Sequence, residues 1–270
     1  MGTSKHLVVG SSGQVGSHLL ARLMARGGNA LGTYHRHPRQ DLTALDVTDE
    51  AKVRAVLQEA APHVVWMPAA MPDVDRCERE PELSWRLNVE AVRRLAVAAN
   101  DIGAKFVFYS TDYVFDGRRG PYRESDTPHP LQVYGRHKWE SEEWLLGHIP
   151  QVLIVRTAWV YSQEENPKNF VYRIRQQLSS GQPLKAATDQ ISTPTAAGEL
   201  ADRSIRAVDG GLDGILHLVG NARLSRYAWT TALAEQYGYR ASVVQPILTH
   251  ELELAAQRPL DGGLVTEREG

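Results

Sequence analysis

The sequence predicts an α/β fold of the Rossmann type, a doubly wound parallel sheet with helices on both faces, followed by a smaller C-terminal lobe. Three observations carry this prediction. Apolar runs alternate with amphipathic stretches through the first 158 residues, a glycine loop follows the first apolar run, and the run at 105–110 is continuously apolar, as a strand covered on both faces requires. We therefore expect residues 1–158 to form a dinucleotide-binding domain.

The individual elements follow from these patterns in chain order. The run at 6–9 predicts the first strand, and the amphipathic stretch that stops at Gly27 and Gly28 predicts the first helix. Further strands are expected at 30–34, 42–47, 63–67, 105–110 and 151–156, and further helices at 48–60, 82–102 and 133–146. After Trp159, glycine and proline interrupt shorter segments. Residues 159–270 are expected to form mainly a substrate-binding lobe, with segments such as 214–219 returning to the main domain.

The composition narrows the classes of function. Thirty Lys and Arg residues nearly balance 32 Asp and Glu residues, so no broad basic field favours a nucleic-acid partner. Apolar runs are too short for a signal-peptide core or a membrane span, which predicts a soluble, cytoplasmic protein. Cys77 is the only cysteine, so no intrachain disulfide can form. We expect Cys77 to be a half-buried residue at the start of a helix.

The glycine loop at 10–16 has the spacing G-x-x-G-x-x-G, with Gly10, Gly13 and Gly16 between a predicted strand and a predicted helix. Glycine lets the backbone approach a phosphate closely, and free N–H groups at a helix start attract its charge. The alternative is a purely structural turn. The strand before the loop and the helix after it favour dinucleotide binding.

The residues at the end of the second predicted strand indicate whether the protein binds NADH or NADPH. An acid at this position would bind the ribose hydroxyls of NAD, but the sequence at 34–39 is YHRHPR. The guanidinium of Arg36 suits a 2′-phosphate, so we expect NADPH rather than NADH. The alternative is a solvated basic loop; the histidines lack nearby carboxylate or cysteine partners, so no metal site is expected. Asp46 and Val47, which close the third predicted strand, are placed to meet the adenine.

Tyr134 and Lys138 are four residues apart on a predicted helix, which brings an ammonium beside a phenol on one helix face. The ammonium is expected to lower the pKa of the tyrosine below its ordinary value and to make it a usable proton donor. The hydroxyl of Thr111, at the end of the preceding strand, is placed to hold the substrate oxygen that receives this proton. Together these groups predict carbonyl reduction.

Several motifs resemble one family. The stretches 110–117, 121–124, 134–138 and 156–161 read STDYVFDG, PYRE, YGRHK and RTAWVY. With the glycine loop, they resemble the dTDP-4-dehydrorhamnose reductase branch of the extended short-chain dehydrogenases over nearly the whole chain. The regulatory beta subunit of methionine adenosyltransferase resembles the same family. Two departures from the family pattern are Met67 and Pro68 after the fourth predicted strand.

The resemblance implies roles for individual residues. Tyr134 would protonate the C4 keto oxygen of a nucleotide-activated 4-keto-6-deoxyhexose, Lys138 would hold the ribose, and Thr111 would bind the carbonyl. The implied cofactor contacts are Gln14, Val15, Ala69 and Ala70. The implied substrate contacts are Val74, Asp112, Tyr113, Trp159, Asp189, Gln190 and Arg258. The alternative for Trp159 is an ordinary core position. The alternative for Asp189, Gln190 and Arg258 is that they are polar groups of loops or of the surface.

Three reactions or roles remain open within this resemblance. Nucleotide-sugar dehydratases carry Asp then Glu after the threonine, and Tyr113 stands where that glutamate would be, which disfavours dehydration. Simple reduction needs only one proton and one hydride. The alternatives are a redox-neutral epimerase and a non-catalytic NADP-binding subunit of a partner enzyme; a homodimer is also possible.

Overall fold

The computed structural model describes residues 4–163 and 169–268. Its centre is a seven-stranded sheet with the order β11-β6-β5-β4-β1-β2-β3, in which every neighbouring pair is parallel. The strands are β1 Lys5–Val8, β2 Asn29–Tyr34, β3 Thr43–Ala44, β4 Val64–Met67, β5 Lys105–Thr111, β6 Val152–Thr157, β7 Val160–Tyr161, β8 Leu184–Ala187, β9 Ile191–Ser192, β10 Thr195–Ala196, β11 Gly214–His217, β12 Leu224–Ser225 and β13 Val244–Ile247. The predicted doubly wound fold is confirmed.

Helices cover both faces of the sheet. They are α1 Gln14–Ala25, α2 Glu50–Ala60, α3 Val74–Arg79, α4 Pro81–Trp85, α5 Ala91–Asp101, α6 Val133–His148, α7 Phe170–Ser179, α8 Ala197–Asp209 and α9 Arg226–Gln236. One buried apolar cluster joins the sheet to α2, α5 and α6, and a second joins its other face to α1 and α8. Side chains buried on both faces explain why the central strands read as continuous apolar runs.

Two local predictions were wrong, and one was confirmed with an added detail. The third strand is two residues long rather than six, because Asp46 turns the chain by accepting hydrogen bonds from the N–H (2.9 Å) and hydroxyl (2.7 Å) of Thr48. The predicted helix 82–102 is confirmed as one continuous helical stretch, in which a π-helical turn at Arg86–Glu90 joins α4 to α5. Cys77 is fully buried within α3 rather than half-buried at a helix start.

The C-terminal part of the chain builds both a second lobe and an edge of the first. Its short strands form three two-stranded sheets, β7 with β10, β8 with β13, and β9 with β12. An apolar cluster holds α7 and α9 against β8 and β13. By contrast, α8 packs on α1, and β11 pairs with β6 in the main sheet. The predicted return of the segment near residue 214 to the main sheet is therefore confirmed, since Gly214–His217 forms the strand β11 of that sheet.

Candidate active site

The glycine loop lies at the carboxyl end of β1, where the strand order reverses and β4 also ends. Gly10 has a φ of +88°, and a Cβ there would lie 2.8 Å from the Cβ of Ala69, so only glycine fits. A Cβ at Gly16 would collide with the carbonyl oxygen of Gly10. Gly13 caps α1 without a side-chain hydrogen bond, and the first turn contains no acid. The loop fits a dinucleotide phosphate, which the first N–H groups of α1 would bind.

The side chain of Gln14 connects this loop to the second lobe. Its Nε2 donates a hydrogen bond of 2.7 Å to Oγ of Ser162, and Nδ2 of Asn169 donates to the same oxygen at 3.1 Å. Asn169 also caps α7 by accepting a hydrogen bond from the N–H of Val171. The first turn of α1 is thereby joined to the start of a helix in the other lobe.

Arg36 and Asp46 lie beyond the carboxyl ends of β2 and β3. Arg36 is exposed, and the described part of the chain gives its side chain no hydrogen bond or ion pair. Nearby Arg39 is instead paired through two hydrogen bonds with Asp41. The hydrogen bonds from Thr48 hold the pKa of Asp46 below its ordinary value, and this carboxylate lies 3.5 Å from Nε2 of His35.

The three predicted catalytic residues meet at the carboxyl end of β5 and the start of α6. Thr111 ends β5, and its hydroxyl, which accepts a hydrogen bond of 3.2 Å from the N–H of Tyr113, lies close enough to the phenol of Tyr134 to oppose the rise of its pKa. The ring of Tyr134 packs edge-on against Tyr113, with centroids 6.3 Å apart. A Cβ at Gly135 would collide with the carbonyl oxygen of Tyr113, so this glycine lets α6 approach the strand end. The pairing of a phenol with a hydroxyl suits binding and protonation of a carbonyl oxygen.

The expected lowering of the tyrosine pKa is wrong. Burial raises the pKa of Tyr134 above its ordinary value, and the neighbouring Cys77 and Asp112 raise it further. Lys138 is 2% exposed, and its Nζ lies 4.0 Å from the centroid of the Phe108 ring. Burial lowers the pKa of Lys138 to about 7. Desolvation of both groups therefore outweighs the attraction between ammonium and phenolate.

The lowered pKa of Lys138 predicts a dependence of stability on pH. Because the pKa falls from 10.5 to about 7 on folding, the unfolded chain binds more protons than the folded chain between these values. The free energy of unfolding of the wild type should rise, relative to Lys138→Met, as pH increases from about 7 to about 10. Denaturant titrations of both proteins across this window measure the difference, and a constant difference would contradict the lowered pKa.

A cleft of about 770 Å³ lies mainly in the second lobe. Arg226 and Arg258 in its lining lie near Tyr113, whose ring packs against that of Tyr134. Three predicted substrate residues line it: Trp159, Gln190 and Arg258. Arg258 is held by Asp75, whose Oδ2 accepts a hydrogen bond of 2.6 Å from Nη2. Asp75 follows Val74, the first residue of α3. An aromatic and basic wall next to a carbonyl-binding centre suits a substrate with both a ring and negative charge.

Two of the predicted substrate residues bind other parts of the protein. Asp112 accepts a hydrogen bond of 2.7 Å from the hydroxyl of Ser192, and burial raises the pKa of its carboxyl to about 6. Asp189 accepts hydrogen bonds from the N–H (2.9 Å) and hydroxyl (2.7 Å) of Thr249. Both carboxyl groups are thus engaged in holding loops of the second lobe.

Sequence reasoning missed two residues of this region. Asp75 positions Arg258, and Arg226, the first residue of α9, places its guanidinium carbon 3.4 Å from the centroid of the Trp159 ring. No local pattern distinguishes Arg226 from the other arginines of the chain. Its position depends on the packing of α9 against the cleft, which only the tertiary structure supplies.

The fold and this centre together define an extended short-chain dehydrogenase/reductase. A parallel sheet carries the glycine loop at its switch point, and the Tyr-x-x-x-Lys pair lies at the neighbouring strand end. Within the described residues, no group of three or more His, Cys, Asp or Glu side chains is arranged to hold a metal ion. None of the helices in this part of the chain has the length and apolar character to cross a membrane.

Comparison with known proteins identifies the family. A family model described as the RmlD substrate binding domain matches residues 4–269. The chain therefore belongs to the RmlD family. It is 32% identical over 269 residues to dTDP-4-dehydrorhamnose reductase of Mycobacterium tuberculosis, an alignment that covers 95% of this chain and 84% of the relative.

Two other similarities bear on function. The chain is 30% identical over 271 residues to methionine adenosyltransferase 2 subunit beta of Danio rerio, covering 97% of this chain and 83% of that protein. A crystal structure of dTDP-4-dehydrorhamnose reductase from Bacillus anthracis in complex with NADP superposes with a TM-score of 0.90 at 28% identity, covering 98% of this chain and 92% of the other. The relatives of this chain thus include proteins named as reductases and proteins named as subunits of another enzyme.

Proposed function

We propose that the protein is an NADPH-dependent reductase that converts the C4 keto group of a nucleotide-activated 4-keto-6-deoxyhexose into an alcohol. The observation that supports this proposal is the position of Thr111 at the end of β5, next to the helix α6 that carries Tyr134 and Lys138, in a sheet whose switch point carries the glycine loop. The named reductases among its relatives, and the NADP complex of one of them, support it. Residues 1–158 would bind mainly the cofactor and residues 159–270 mainly the substrate.

In this proposal the chain's own residues bind the ketone and supply one proton. The hydroxyl of Thr111 orients the carbonyl oxygen, and the phenol of Tyr134 donates its proton to that oxygen as negative charge develops there. The raised pKa of Tyr134 keeps the proton on the phenol until then. Bound NADPH supplies the hydride to C4. Lys138 would hold the cofactor ribose, and the first N–H groups of α1 would bind the pyrophosphate.

The assay that tests this proposal follows NADPH oxidation with a panel of 4-keto sugar nucleotides. We expect stoichiometric loss of NADPH and a 4-hydroxy product with at least one of them. An epimerase would return the hydride and consume no net NADPH, so stoichiometric loss would exclude that alternative. Absence of NADPH consumption with every sugar of the panel would contradict the reductase proposal.

A regulatory subunit is the second candidate function, because relatives named methionine adenosyltransferase 2 subunit beta are 30% and 31% identical to this chain, nearly as similar as a named reductase at 32%. Such a subunit would bind NADP through the same loop but act by binding a partner enzyme. A pull-down with the purified protein, followed by assay of the captured enzyme with and without it, tests this alternative. Changed partner activity without any sugar-dependent NADPH oxidation would favour the subunit.

Cofactor preference provides a separate prediction. Arg36→Ala should weaken NADPH binding by about 10- to 100-fold, because a charged hydrogen bond to the 2′-phosphate contributes about 1.5–3 kcal/mol. NADH binding should stay nearly unchanged. The matched control is Arg39→Ala, since Arg39 is already paired with Asp41. Equal loss of NADPH affinity in both variants, measured by fluorescence titration, would remove the specific role of Arg36.

A further inference from the structure

Arg226 is a cation placed in an aromatic wall without a carboxylate partner. Its guanidinium carbon lies 3.4 Å from the ring centroid of Trp159, 4.6 Å from that of Phe170 and 5.5 Å from that of Trp229. Within residues 4–163 and 169–268, its guanidinium has no ion pair or hydrogen bond. Burial lowers the pKa of Arg226 to about 10. A desolvated cation of this kind is costly unless an anion compensates it.

The charge of Asp112 opposes the lowering of the Arg226 pKa, but burial outweighs it, and no carboxylate of the described residues forms an ion pair with this guanidinium. Asp75 is bound to Arg258, Asp189 to Thr249, and Asp112 to Ser192. The other charged groups that line the cleft are cationic, namely Arg173, Lys185 and Arg258. The cleft therefore has a net positive charge and would concentrate an anionic ligand.

The N–H donors of Arg226 have no hydrogen-bond partner among the described residues, although its guanidinium carbon lies over the ring of Trp159. A guanidinium that stacks on an aromatic ring contacts the ring with its flat face. Its N–H groups point outward in the guanidinium plane and can still donate hydrogen bonds to a ligand. Trp159, which supports this stack, has a φ of +38°. This backbone conformation is strained for a residue with a Cβ and is found where surrounding structure fixes a functional side chain. The planar fork of an arginine matches two phosphate oxygens at once.

We propose that Arg226 binds the diphosphate of the nucleotide-sugar substrate, and that Trp159 and Phe170 hold its guanidinium in position. This inference rests on the proposed function, because it assigns a role within the same substrate cleft. Arg226 is thereby a substrate-binding residue, which fixes how far the sugar extends toward Thr111 and Tyr134.

Binding of thymidine, dTMP and dTDP tests this role, with the uridine series measured in parallel. Titrations contain saturating NADP⁺, so that the glycine loop is not available to the diphosphate. We expect the wild type to bind one nucleoside diphosphate at least tenfold more tightly than the matching nucleoside. Arg226→Met should lose about 10- to 100-fold in affinity for that diphosphate and little for the nucleoside. Arg226→Lys should recover part of the loss, because it keeps the charge but not the fork.

Two controls separate binding from a structural role. Arg240→Met removes an equal charge from an exposed position outside the cleft and should leave all affinities unchanged. Without ligand, Arg226→Met should unfold at the same temperature as the wild type or a higher one, because it removes a buried cation that has no ion-pair partner among the described residues. A lower unfolding temperature with an unchanged preference for diphosphate over nucleoside would mean that Arg226 only supports the aromatic wall, and would overturn the proposal.

The binding measurements on Arg226 test a different claim from the reductase assay, so either can fail without the other. Diphosphate binding that depends on Arg226, in a protein that oxidises no NADPH, would support the site and contradict only the reductase proposal. Reductase activity with the same KM for the sugar nucleotide in wild type and Arg226→Met would contradict only the role of Arg226. If both proposals hold, KM should rise in the variant more than kcat falls.

Discussion

A Tyr134→Phe variant should turn over its substrate roughly two to four orders of magnitude more slowly than the wild type, the range for a positioned proton donor. Its affinity for NADPH should be nearly unchanged. The substitution removes only the phenolic oxygen, and the remaining ring keeps its edge-on contact with Tyr113. Single-turnover NADPH oxidation measures the chemical step, and a fluorescence titration measures cofactor binding.

The matched control is Tyr239→Phe, which removes an exposed phenol from the turn after α9. This variant should keep wild-type turnover. Unchanged turnover in Tyr134→Phe would remove this residue from the mechanism. Loss of NADPH binding together with turnover would instead indicate a damaged cofactor site.

A Glu142→Gln variant should lose about 3–5 kcal/mol of stability, the cost of leaving a buried charge without its partner. Glu142 and Arg156 are 1% and 2% exposed, and Nη2 of the arginine lies 2.6 Å from Oε2 of the glutamate. Nε of Arg156 also donates to both carboxylate oxygens at 3.1 Å. Urea denaturation of the wild type and the variant measures the change.

Two further variants test whether the loss of stability in Glu142→Gln arises because the ion pair is buried. Glu50→Gln breaks an ion pair with Arg54 that lies on the surface and should change stability little. Combining Glu142→Leu with Arg156→Met removes both buried charges and should recover most of the stability lost in Glu142→Gln. If Glu142→Gln unfolds at the same urea concentration as the wild type, the pair does not stabilise the fold.

This ion pair has a consequence for the active site because of where it lies. Glu142 follows Lys138 by one helical turn on α6, and its charge opposes the lowering of the lysine pKa. Arg156 lies on β6, beside the strand that ends at Thr111. The pair therefore holds the helix that carries Tyr134 and Lys138 against the sheet that carries Thr111.

The main sheet was predictable because its signals are local. A continuous apolar run such as 105–110 specifies a strand covered on both faces, and the glycines at 10–16 specify a turn that admits close contacts. The length of β3 was not predictable. A side-chain turn between Asp46 and Thr48 ends it, although the apolar pattern continues through Val47.

The second lobe was less predictable than the first. Its strands are two to four residues long and pair between segments distant in sequence, such as β8 with β13. Segments this short carry little periodicity. A single boundary in the sequence also does not divide the two lobes. The elements α8 and β11 belong to the second part of the sequence but pack on the first domain.

The sequence alone determined the parallel sheet, the glycine loop and the spacing of Tyr134 and Lys138, because each depends on residues close together in the chain. Only the tertiary structure decided the direction of the Tyr134 pKa and the position of Arg226. The first depends on how much water the packed helices exclude from the phenol, and the second on the approach of α9 to the ring of Trp159. Desolvation and long-range packing arise from the folded whole, so no local pattern encodes them.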